Sequence, residues 1–266
     1  MDDAWDAAQA AAAAAEVDIR PVASLAEIDA AVEVMIATWG DFQLVPREVF
    51  VSFQESRNLV QGAWRDGRMI GFALGWWGID DDGWHLHSHM LAVTPDLRSS
   101  GVGYALKLAQ RAATLDAGVT RIRWTFDPLQ SRNAYFNLYK LGAVADSFHR
   151  NHYGDMPDIL NSGDRSDRLV VRWDLLPSPG SGGGWGQAEP LLLREGPSEA
   201  PKPSPTGASP EGHRSVEVPR EYAELRRTDS DLADAWRDAV ADAMESCFAS
   251  GLIARTFTAD SAYLFA

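Results

Sequence analysis

The chain has 266 residues, 45% of them hydrophobic, and sets 38 acidic against 24 basic side chains for a net charge of −14. That balance excludes a nucleic-acid binder, because cationic contacts to phosphate supply most of such an affinity, and no run of eighteen apolar residues is present to cross a membrane. A single cysteine, Cys247, rules out an internal disulfide, and the start lacks the basic flank and aliphatic stretch of a signal peptide, so the expected compartment is the cytoplasm.

Residues 1–16, rich in alanine and aspartate, read as a disordered tail or loose helix. Residues 17–22 alternate as a strand. Residues 24–39 follow as a helix, with Ser24 at the N-cap and Glu27 completing a capping box. A short helix is expected over 46–55. Residues 59–65 and 68–79 then pair as a hairpin around Asp66-Gly67, the strongest short-range turn signal in the chain. The next strand runs through WHLHSHMLAV and stops at Thr94-Pro95. A helix opens at RSSGVG, with Leu106, Ala109, Ala113 and Leu115 near one face. Residues 120–126 form a strand that ends at Asp127-Pro128, residues 131–141 a helix closed by Gly142, and residues 168–175 a last strand.

Two glycines at the start of a helix have a chemical meaning. The first turn exposes backbone N–H groups at the positive end of the helix dipole, and glycine lets an anion approach them closely. Arg98-Ser99-Ser100-Gly101-Val102-Gly103 is therefore a phosphate cradle. It is not a Rossmann fingerprint, because Leu106 stands at the third glycine position and Arg121 and Arg123 stand where an acidic residue belongs. Gly-Lys-Ser/Thr is absent, which removes a P-loop.

The succession LAV (Leu91, Ala92, Val93), RSSGVG opening a helix, a strand, and then Asn133 with Tyr139-Lys140-Leu141-Gly142-Ala143 resembles the GNAT superfamily of acyl-CoA-dependent N-acyltransferases. The likeness covers roughly residues 17–175 and is densest over 91–142. It implies an α+β fold on a mixed sheet, with acetyl-CoA or another acyl-CoA as co-substrate and no metal. By the same likeness Leu91, Ala92 and Val93 hydrogen-bond the pantetheine arm, and Arg98, Ser99, Ser100, Gly101, Val102 and Gly103 hold the pyrophosphate. Asn133 joins the cofactor site, and Tyr139 lies near the thioester sulfur as general acid, with Tyr135 as its near competitor.

Alternate residues of a strand share a face, so His85, His87 and His89 are expected to line one side. A neutral imidazole can take the proton that an ammonium substrate must lose before it attacks a thioester. The spacing His87-x-His89-x-Leu91-Ala92-Val93 resembles the arylalkylamine N-acetyltransferase branch, which implies that role for His87 and His89. A satisfied strand histidine is the bland alternative for each. A zinc site would need a third ligand, for which only His149 and His152 offer themselves. Trp76, Trp77 and Trp84 crowd one region, compatible with a small or hydrophobic acceptor pocket.

The expected organisation is a tail over 1–16, a GNAT domain over 17–176, a disordered Pro/Gly/Ser linker over 177–215, and a segment over 216–266 that packs back on the domain. In the last segment Ser230 or Asp231 caps a helix whose stripe is Leu232, Trp236, Val240, Met244 and Phe248, with Cys247 as a buried structural thiol beside it. Residues 252–257 and 262–265 follow as a hairpin or edge strand. The expected activity is acyl transfer from acyl-CoA to a primary amine of a small molecule. The alternative is a catalytically silent CoA-binding or regulatory module on the same fold. Oligomeric state is open, a homodimer included.

Overall fold

A computed structural model of the chain describes residues 2–41, 45–97, 100–159, 161–176, 188–196, 199–204 and 212–266. The chain divides into two units, Met1–Trp124 with Pro157–Ser162, and Thr125–Met156 with Gly163–Ala266.

In the first unit the strands lie in chain order: β1 (Asp18–Pro21), β2 (Leu59–Arg65), β3 (Arg68–Asp80), β4 (Gly83–Val93) and β5 (Arg121–Phe126). Each pair is antiparallel except β4 with β5, which run parallel. The β2–β3 turn places Asp66 at φ 51° and Gly67 at φ 76°, the two positive values that a tight twisted hairpin turn requires. Helix α2 (Leu25–Trp39) starts on Ser24 with the full capping box to Glu27. Helix α3 (Arg47–Glu55) follows it. The side chains of β3 divide between two cores, with the alternation shifted once at Ile70, the extra residue where the β2–β3 pairing steps from Gly71 to Met69: Met69, Phe72 and Leu74 pack with Ile28, Met35 and Phe50 of α2 and α3. Ile70 and Ala73 pack on the other side with Val102, Ala105 and Leu106 of α4 (Val102–Asp116).

The N-terminal residues correct the expected tail. They form a helix, α1 (Asp2–Ala14), that packs on α4 and buries Ala4, Ala8 and Ala15. Trp5 Nε1 donates to Asp116 Oδ2 at 2.6 Å, and Arg65 donates to the carbonyl of Ala15 at 2.6 Å. An alanine run has the highest helix propensity and no long side chains, so it can lie close against another small-residue surface once one is provided.

The second unit begins with α5 (Ser131–Ala134), which widens at once into a π-helical turn over Tyr135–Lys140. It continues with β6 (Val144–His149), β7 (Arg168–Asp174), β8 (Glu189–Glu195), β9 (Ala200–Pro203), β10 (Arg214–Glu217), α6 (Tyr222–Thr228), α7 (Ser230–Ala249), β11 (Ala254–Phe257) and β12 (Ala262–Phe265). Its strands are ordered β7-β6-β11-β12-β10-β8-β9.

Strands β8, β9 and β10 correct the expected linker over 177–215. Leu192, the middle of three leucines, is buried and pairs with Val216, giving a stretch rich in proline and glycine enough apolar burial to order as a strand. Residues 177–187 and 205–211, Trp185 among them, lie outside the described residues. The cap of α7 is Asp229, one residue before the expected position, and its side chain accepts from the Leu232 N–H. The C-terminal segment shares a unit with residues 125–156: Ala254 of β11 pairs with Ala145 of β6, and the Tyr263 hydroxyl donates to the Pro128 carbonyl at 2.7 Å. Cys247 is buried, and burial pushes its thiol up to about 12, which suits a structural rather than a nucleophilic cysteine.

Candidate functional site

The candidate residues of the first unit gather along β4. The β3–β4 ladder pairs Trp76 with His87, then Gly75 with Ser88 and Leu74 with Met90, leaving His89 as the extra residue of a β-bulge. The bulge alters the facing expected from simple alternation. His87 and His89 both pack against Trp76, each ring 4.7 Å from the indole centroid and 6.0 Å from the other. Beyond the bulge Met90 and Ala92 lie on that same side with α2 and α3, whereas Leu91 and Val93 turn toward α4. Of the three tryptophans, Trp76 alone joins the histidines, with Phe53 at 5.7 Å on its outer side. Trp77 donates to the Arg57 carbonyl, and Trp84 is exposed. The crowd expected from the sequence is thus dispersed by alternation.

His85 is buried rather than displayed. Its Nδ1 lies 3.4 Å from Asp80 Oδ2, and Asp80 also takes a 2.8 Å hydrogen bond from Arg123, which holds its carboxyl below the usual range. Burial, followed by the neighbouring imidazoles and cations, brings His87 down to about 4. Enclosure by protein also lowers His89, although one side of that residue is open to solvent. Both rings are therefore neutral near pH 7.

The parallel ladder between β4 and β5 is short. It pairs Leu86 with Ile122 and His87 with Arg123, while β4 itself runs on to Val93. Next to that open stretch α4 begins. Gly101 is its N-cap at φ 91°, a left-handed conformation that favours glycine, and no side chain caps the helix. A Cβ on Gly103 would lie 3.5 Å from a methyl of Leu91 and 4.0 Å from one of Val93, so the glycine loop and the LAV strand are brought together. The Ser100 hydroxyl donates to the Leu97 carbonyl at 2.6 Å. Arg98 and Ser99 lie outside the described residues.

Asn133 and Tyr139 belong to the second unit. Asn133 is exposed on α5. Tyr139 is 59% exposed on the π-helical turn and stacks on Tyr135 at 4.7 Å, its near competitor for the same role. Short π-helical segments recur at functional sites because the widened turn reorients side chains. His149 and His152 stack on each other at 5.0 Å. A cavity of about 250 Å³ in this unit, floored by Trp236 and rimmed by Glu199, Glu221 and Glu224, holds none of the expected site residues.

Sequence reasoning missed one buried group. Lys107 of α4 is 4% exposed, donates to Ser88 Oγ at 2.8 Å and lies 3.9 Å from the Trp124 ring centroid. The Ser88 hydroxyl in turn donates to Gln110 Oε1 at 2.9 Å. The available signal was a lysine inside the apolar stripe of a helix.

Residues 28–143 match the Acetyltransferase (GNAT) family. The matched stretch runs from α2 into the residues just after the π-helical turn, and it carries β4 and the glycine start of α4. Among solved structures the chain is similar to yncA from Salmonella typhimurium, solved with its cofactor acetyl-CoA, at 15% identity and TM-score 0.50, with 62% of this chain and 96% of that one covered. It is similar at the same identity and TM-score to a chain of the NatC complex bound to Gag peptide and CoA, with 60% and 99% covered. The ribosomal-protein-S18-alanine N-acetyltransferase from Escherichia coli aligns at 21% identity and TM-score 0.48, over 62% of this chain and 97% of that one. A search of curated protein sequences returned no match. No helix among the described residues is long and apolar enough to cross a membrane.

Proposed function

We propose that this chain is an N-acyltransferase that moves an acetyl, or another acyl, group from acyl-CoA to a primary amine of a small molecule. The observation that carries the reading is the early end of the β4–β5 ladder beside the glycine start of α4. Strand groups beyond His87 are offered to a ligand with amides of its own, and an anion on that ligand meets the N-terminus of α4. In this reading Leu91, Ala92 and Val93 align the pantetheine arm, and Ser100, Gly101, Val102 and Gly103, with Arg98 and Ser99, hold the pyrophosphate.

The chemistry then divides among named side chains. The amine arrives protonated, and His89, the more exposed of the two rings, removes that proton directly or through water, whereas the more enclosed His87, brought down to about 4, is a weak base. His87 and Trp76 hold the His89 ring in place. The amine nitrogen attacks the thioester carbonyl, and a β4 backbone N–H near Leu91 stabilises the oxyanion that forms. Collapse breaks the carbon–sulfur bond, the acceptor nitrogen gives up its second proton to water as it becomes the amide, and the departing thiolate takes a proton from water.

A thiol-release assay with several acyl-CoAs against a panel of primary amines tests this. Amine-dependent release that is lost in H89A supports the reading. Tight CoA binding without release for any amine would leave the silent CoA-binding module instead.

A further inference from the structure

We propose that Lys107 is a positioning residue that clasps the fork where β4 and β5 part, and so sets the width of the acyl-CoA cleft. The inference rests on the acyltransferase reading for its kinetic consequence, though the clasp itself is a matter of geometry. The parallel ladder ends at His87 and Arg123. The next residues along the two strands are Ser88 and Trp124, and Lys107 reaches both, by a 2.8 Å hydrogen bond to one and by a cation–π contact of 3.9 Å to the other. One side chain from α4 thus bridges the two strands at the first position where the ladder no longer does.

The arrangement is costly, which is why it calls for a purpose. Lys107 is fully enclosed, and no carboxylate pairs with it among the described residues. An apolar side chain of similar volume would pack there without that penalty. Burial lowers the ammonium to about 7, so it is partly neutral at working pH and can keep its hydrogen bond to Ser88 in either state. What methionine could not do is bond the Ser88 hydroxyl, which also holds Gln110. Ser88 lies between His87 and the bulged His89, so a loosened clasp would shift the strand that carries the histidines as well as the edge that receives the pantetheine.

The test compares K107M, K107R and S88A with the parent protein by hydrogen exchange without ligand and by steady-state kinetics. Expected for K107M is faster exchange over residues 86–93 and 121–124, and a KM for acetyl-CoA raised about tenfold while the amine KM changes less than about twofold. K107R, which can still donate to Ser88 and stack on Trp124, restores part of both effects. If K107M does not fold, S88A carries the test and should show the same selective rise in smaller measure. A folded K107M with unchanged exchange over those residues and an unchanged acetyl-CoA KM overturns the clasp, as does a fall in Tm alone. If the parent protein neither binds CoA nor releases thiol, the acyltransferase reading fails, and the exchange comparison still decides whether Lys107 holds the fork.

Discussion

Two imidazoles on one strand differ in what they can do because their surroundings differ. His87, enclosed between Trp76 and its neighbouring histidines and brought down to about 4, is a weak base, whereas His89 at the bulge is open on one side. A general base works when neutral, and a lowered pKa extends the neutral form toward acid. If the chain acts as proposed, the rate profile of the parent protein should therefore stay flat from about pH 8 down to about pH 6.5, after allowance for ionisation of the amine, with its limb below that. His89→Ala should lower kcat on the order of 10²–10⁴-fold and remove the limb. A limb centred at or above neutrality, or full activity in the variant, would place the base elsewhere. The loop glycines separate in a similar way. Gly101 at φ 91° resists any side chain, so Gly101→Ala should cost about 1 kcal/mol in denaturant unfolding even without ligand. Gly103 has only ordinary contacts to offer a methyl, so Gly103→Ala should leave stability unchanged or slightly raised while weakening CoA in calorimetry.

At the scale of elements, what the chain spells locally was legible and what depends on a distant partner was not. The capping box of α2, the Asp66-Gly67 hairpin and the glycine entry to α4 are each written within a few consecutive residues, and each forms. The bulge at His89 has no local signature, since one extra residue leaves the alternation of HLHSH untouched, and this is why Leu91 and Val93 face α4 instead of following the histidines. The π-helical turn and strands β8 and β9 are likewise set by packing. Helix α1 is the plainest case. Thirteen residues with little amphipathic pattern are marginal alone, and only α4 and the sheet edge below it make them a helix. Removing residues 2–14 should therefore lower Tm by roughly 5–10 °C, as expected for a loss of a few kcal/mol. Because the position of a Gly101 Cβ lies 3.6 Å from Ala15, it should also weaken CoA binding. An unchanged melting curve would return α1 to the status of a tail.

For the whole molecule, the acidic surplus of −14 suggests stability set by surface repulsion, but the buried ionisable groups predict a different pH dependence. In the second unit Arg237 holds Asp127 with two hydrogen bonds of 2.7 and 3.0 Å and also binds Asp164. Burial alone would raise the Asp127 carboxyl, yet the paired guanidinium keeps it below the ordinary value, so its contribution is present near neutrality and lost as acid titrates it. Arg237→Met would leave Asp127 buried without its paired guanidinium, while Asp164 keeps Arg226 at 3.4 Å, and should cost about 3–5 kcal/mol. Lys107 works in the opposite direction. Folded, it releases its proton near 7, whereas unfolded it would keep it to about 10.4. Across the interval the unfolded chain binds more protons, so stability rises with pH from neutrality upward. The gain should reach about 2 kcal/mol by pH 8.5, before ionisation of the unfolded Cys247 thiol begins to oppose it. Denaturant midpoints measured at steps from pH 6.5 to 8.5 should climb more steeply in the parent protein than in K107M, whose remaining rise comes from the histidines that folding holds neutral and fades above about pH 7.5. Parallel curves for the two proteins would mean that the Lys107 ammonium is better solvated than its enclosure by Ser88 and Trp124 allows.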